Sequence, residues 1–118
     1  MADTAVHVTT LALNASTANP TGTAIVAANT HVITPTKATS KLAIRLTNSF
    51  AGAKDFTILK GDNPPADAAG QGDLVISLAQ NDVVFVVVES ARFLQDNGTI
   101  RVNVASSTTG FIEAIQLP

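Results

Sequence analysis

Apolar and polar residues alternate along several short stretches of this chain. Over residues 41–48, Leu42, Ile44 and Leu46 fall on one side, and Lys41, Ala43, Arg45 and Thr47 on the other. Successive side chains of a strand point to opposite faces, so this is the pattern of a half-buried strand. The same reading gives a strand over residues 55–60 with Phe56 and Ile58 inward, and one over 74–79 with Leu74, Ile76 and Leu78 inward. Residues 99–105 place Ile100, Val102 and Val104 on one face and Arg101 and Asn103 on the other. The last strand, 111–117, has two readings. Glu113 interrupts a row of Phe111, Ile115 and Leu117, while Ile112 and Ala114 offer a different inner face. Ahead of these, Val6, Val8, Leu11 and Leu13 mark a first strand with an irregularity near Thr9-Thr10. Residues 23–28 and 31–34 are short strands broken at Asn29 and Pro35.

One stretch departs from this half-buried pattern. From Val83 to Val88 the chain reads Val-Val-Phe-Val-Val-Val. As a strand it puts Val83, Phe85 and Val87 on one face and Val84, Val86 and Val88 on the other, and both are apolar. A sheet in a two-layer sandwich buries one face and wets the other. Burying a Val fully is worth about 1.5–3 kcal/mol, so three left in water forgo a large part of a small domain's stability. The second face therefore needs a cover. It comes either from the same chain, by the N-terminal arm or the 61–72 loop, or from a neighbouring subunit or larger partner. In the second case Val84, Val86 and Val88 are the contact residues.

Turn chemistry separates the strands. Residues 14–22 are rich in Asn, Ser, Thr, Pro and Gly. Gln80-Asn81-Asp82 is a tight turn joining 74–79 to 83–88 as a hairpin, and Asp96-Asn97-Gly98 is a hairpin turn, since Asn and Gly tolerate positive φ. Glu89-Ser-Ala suits a single turn, after which Phe93 and Leu94 drop back into the structure. Residues 61–72 carry Pro64 and Pro65 and three glycines, which exclude a central strand and a stable helix. A loop this long in a compact domain is commonly a contact loop. Pro64 and Pro65 join the candidate interface on that ground, and Arg92 is counted with them. Glu89 reads as one half of a structural ion pair, with either Arg92 or an Arg of a neighbouring subunit as the other. About eight short strands with frequent turns predict an all-β fold, a small antiparallel β-sandwich or jelly-roll-like barrel. Residues 1–118 form one domain, within which 1–40 include a candidate extended or swapped N-terminal arm.

Composition narrows the function classes. Only 14% of residues are charged, against about 25% in an average soluble domain, which favours a surface packed against other proteins. The net charge is -2 and the seven cations form no cluster. There is no Trp or Tyr, so neither a nucleic-acid groove nor a sugar platform is expected. The chain has no Cys, which removes disulfides and thiolate metal sites. No signal peptide or membrane-spanning stretch is visible, so synthesis in a cytoplasm is expected.

No catalytic arrangement emerges. His7 and His31, with Asp3, lack metal-ligand spacing and are expected to be ordinary strand-edge residues. Asp62, Asp67 and Asp73 miss the spacing of a calcium loop. Glu89 and Glu113 as a hydrolytic carboxylate pair would lack an aromatic platform. No enzyme activity, cofactor or metal is expected.

Four local phrases carry a resemblance: Gly61-Asp-Asn-Pro-Pro-Ala, Gly70-Gln-Gly-Asp-Leu, Glu89-Ser-Ala-Arg-Phe-Leu-Gln-Asp-Asn-Gly-Thr, and Ser107-Thr-Thr-Gly-Phe-Ile-Glu-Ala-Ile-Gln-Leu-Pro. Together they make residues 41–118 similar to the head decoration, or cement, proteins of tailed bacteriophages. The resemblance implies a structural protein of the virion surface. It would be made in the host cytoplasm and dock as an oligomer, with a trimer favoured, on the expanded shell of the major capsid protein. It implies no membrane or nucleic-acid partner and no catalytic residues. The alternative is a receptor- or glycan-binding β-sandwich module of a phage tail or cell-surface protein.

Overall fold

The computed structural model describes residues 2–61, 72–88, 93–95 and 97–118. Ten short strands run in chain order: β1 (Asp3–Ala5), β2 (Val8–Thr10), β3 (Thr23–Ala24), β4 (Thr30–Ile33), β5 (Leu42–Asn48), β6 (Lys54–Ile58), β7 (Leu74–Leu78), β8 (Val83–Val86), β9 (Ile100–Val104) and β10 (Gly110–Gln116). They form two sheets. The first has the order β1-β4-β9-β6-β7; the second has β2-β10-β5-β8, with β3 also pairing β10. The expected all-β sandwich is the observed architecture.

The core is where the alternating patterns meet. Leu42, Ile44 and Leu46 of β5 and Ile112 and Ala114 of β10 lie against Ile33, Phe56, Ile58, Leu78, Ile100 and Val102 of the first sheet, all essentially free of solvent. This resolves the ambiguity of the last strand in favour of Ile112 and Ala114. Val6 and Phe93 plug the core from outside the strands, so Phe93 does return to the interior as expected.

Three expectations need correction. The turn after β7 forms, with Asp82 N–H donating to the Ala79 carbonyl (3.1 Å) and Asn81 at φ 66°. It does not close a hairpin, however. β7 pairs β6 in the first sheet and β8 pairs β5 in the second, so the turn carries the chain from one layer to the other. The turn at Gly98 also forms, with Gln95 N–H donating to Thr99 O (2.8 Å) and Gly98 at φ 80°. Only its second arm, β9, is a strand among the described residues. Finally, the N-terminal region makes two strands, not one. β1 joins the first sheet parallel to β4, and β2 joins the second parallel to β10. The sheets are therefore mixed, and the break falls at Val6 and His7, ahead of the irregularity expected near Thr9-Thr10, which lie within β2. Parallel neighbours need a long crossover, which a segment distant in sequence supplies.

Gly110 permits the β10–β5 junction. It sits at φ 140°, and a Cβ there would lie 2.0 Å from the Thr47 carbonyl oxygen. Among the described residues, no helix is long and apolar enough to cross a membrane.

Candidate functional site

The outer face of the second sheet departs from an ordinary wetted surface in two ways. The first is a buried polar row. Register places Phe85 of β8 beside Arg45 of β5, and Arg45 beside Glu113 of β10. Glu113 is fully buried although it lies on the outward side of its strand. Its carboxylate accepts from the Thr9 hydroxyl (2.7 Å) and lies 3.1 Å from His7 Nδ1. Arg45 is buried as well. Its guanidinium donates to Asn19 Oδ1, to Pro20 O (2.6 Å) and to Thr21 O (3.0 Å). Gly22 passes so close that a Cβ would come within 3.3 Å of Glu113 and Phe111 side chains. Residues 11–22 are thus a strap drawn over β10 and β5 by one arginine. An apolar cavity of about 250 Å³ remains between strap and sheet, lined by Thr9, Leu11, Thr17, Ala18, Asn19, Pro20 and Ile115. None of these offers an aromatic ring for a sugar.

The second departure is an apolar strip. Beyond the strap, β8 exposes Val83 (51%) and Phe85 (62%), and Val87 (60%) just past its end is exposed as well. Val84 and Val86 pack against the core and Val88 is buried in it. The two-faced split of the run is therefore real, but the faces are exchanged relative to expectation. Val84, Val86 and Val88 follow the inward row of β5 because Ile44 pairs Val86 and Leu46 pairs Val84. The residues available for contact are Val83, Phe85 and Val87. Pro64, Pro65 and Arg92, the other expected contact residues, lie outside the described residues, as do Glu89, Asp62 and Asp67. The N-terminal arm does cover this sheet, but among the described residues it covers β10 and β5 and leaves β8 bare.

The histidines are not the strand-edge residues expected: His7 lies in the link between β1 and β2, and His31 sits on β4 inside its sheet. His31 is fully buried on β4. Its Nε2 accepts the Val26 N–H (3.1 Å), and Nδ1 lies 3.4 Å from the Val102 carbonyl, its donor side. Burial holds its pKa below the usual 6.5. Asp3 pairs instead with Arg101 at 2.8 Å, and Asp73 accepts the Lys60 N–H at 2.7 Å. Among the described residues no three potential metal ligands converge.

Sequence reading missed the strap and its anchor. The available signal was an Arg flanked by Ala43 and Thr47 in one strand row, and a Glu flanked by Phe111 and Ile115 in another. Compared with known proteins, the chain matches no family model, no curated protein and no solved structure.

Proposed function

We propose that this protein is a structural component of a bacteriophage virion, a head decoration protein that binds the outer shell of the major capsid protein and reinforces it. The observation that carries this reading is the bare strip of Val83, Phe85 and Val87 on a strand without a single charge. Exposed contiguous apolar surface marks an interaction site. The scarcity of charge elsewhere and the resemblance of local phrases to those of decoration proteins support the same reading. In it the protein works by contact: apolar side chains of β8 cover apolar surface on the shell, and copies cover one another. No reaction step is involved.

The test is co-sedimentation with purified, expanded heads of the cognate phage that lack decoration. Wild-type protein is expected to pellet with the heads at micromolar concentration. A Phe85→Ser, Val87→Ser double variant keeps its fold, because both side chains are exposed, and loses at least about tenfold in affinity through the lost apolar contact. Failure of the wild type to pellet would remove the reading.

A further inference from the structure

Two copies of this chain join through the free edge of β8: this is the pairing we infer from the backbone pattern and sequence of that strand. It rests on reading β8 as an assembly surface, but not on what shell it meets.

β8 is the last strand of its sheet, and among the described residues nothing pairs with its outer edge. The direction of its backbone groups follows from the ladder. Asn48 N–H donates to Asp82 O (3.1 Å), and Ser49 N–H donates to Thr109 O (2.9 Å). Even-numbered residues of β5 thus turn their backbone groups to β8, and odd-numbered ones to β10. Because Leu46 pairs Val84 and Ile44 pairs Val86, Val84 and Val86 spend theirs on β5. In an antiparallel ladder the intervening residues point the other way. The N–H and C=O of Val83 and Phe85 therefore face the open edge.

Natural edge strands are usually blunted by charge, proline or a bulge. Val83-Val84-Phe85-Val86 has neither charge nor proline, and its register with β5 runs without interruption. What singles out a second copy as the occupant is symmetry. Val83-Val84-Phe85-Val86-Val87 reads the same in both directions about Phe85. An antiparallel pair related by a two-fold axis through Phe85 sets Phe85 opposite its own counterpart and Val83 opposite Val87 of the second copy. The Phe85 donors and acceptors then meet each other, Val83 meets Val87 where β8 is extended by one residue, and like side chains meet like. An isologous contact requires such self-complementarity. A strand with no charge holds no pattern that would select a different partner. The two sheets become one continuous layer, and the two apolar strips fuse into a single patch. The edge is short, so the pair is weak in solution and strengthens where copies are held close together.

The absence of cysteine makes a clean test possible. Phe85→Cys places two thiols across the proposed axis, at a separation that hydrogen-bonded strand pairs and disulfides share. With oxidised glutathione it is expected to give a covalent dimer at least about tenfold faster than Leu13→Cys, whose higher local exposure would favour it in random collision. Light scattering of the wild type is expected to show a concentration-dependent monomer–dimer equilibrium. Cross-linking no faster than the Leu13→Cys control, or a trimer by light scattering, overturns the pairing. Head binding is measured separately. A dimer that does not bind heads retains the pairing and removes the virion reading; a head-binding monomer does the reverse.

Discussion

At the scale of single residues, one buried group sets how this protein responds to pH. His31 is neutral in the fold because burial depresses its pKa, and both ring nitrogens face backbone partners. The unfolded chain takes up a proton there near the ordinary value of 6.5, whereas the folded chain resists. The contribution of His31 is therefore complete above that value and is lost progressively as pH falls below it. The urea midpoint should drop between about pH 7 and about pH 5, and a His31→Gln variant should show a smaller drop. Comparing the two isolates this ring from His7. Protonation would also cost the Val26 N–H its acceptor, so the turn between β3 and β4 should loosen first.

At the scale of elements, the strap over the second sheet depends on one side chain. Arg45 supplies the donors for Asn19, Pro20 and Thr21. Arg45→Met retains bulk and removes those donors, so it should cost about 1.5–3 kcal/mol. It should also open residues 11–22 to limited proteolysis while the rest of the domain stays resistant. Both are readable from urea unfolding and a protease time course. The strands of the core were legible from alternation, because Leu42, Ile44, Leu46, Phe56, Ile58, Ile100 and Val102 obey the simple period. The sidedness of β8 was not, because five valines flank a single Phe and neither row is polar. Only pairing with β5 decides it. The hairpin expected at Gln80-Asn81-Asp82 failed for a related reason. Turn chemistry fixes the local reversal, but it does not say whether the next strand stays in the same layer. The buried Arg45 and Glu113 broke the rule that polar residues on an outward row are wet, since a strap with no strand pattern of its own covers them.

At the scale of the whole molecule, the two flanks of the sandwich differ. On one, the chain passes from β1 to β2 through Val6 and His7, and polar contacts fasten it to the C-terminal strand. On the other, the tight turn after β7 leaves β7 and β8 as the two outermost strands. Most of this architecture joins residues far apart in sequence. His7 reaches Glu113 across 106 positions, and Arg101 reaches Asp3 across 98. Such non-local pairing slows folding, and refolding on the order of milliseconds to seconds is expected for this topology. Stopped-flow circular dichroism is the suitable readout, since the chain has no Trp or Tyr to report by fluorescence.

The place of β10 has a consequence during synthesis. This strand lies at the middle of its sheet, between β5 on one side and β2 and β3 on the other, and of the ten strands described it comes last in chain order. A nascent chain on the ribosome therefore has no centre for that layer until Gly110–Gln116 emerges. For that interval the β10-facing edge of β5 waits unpaired and the apolar face of the layer lacks Ile112 and Ala114, and a holding chaperone would find its natural client there.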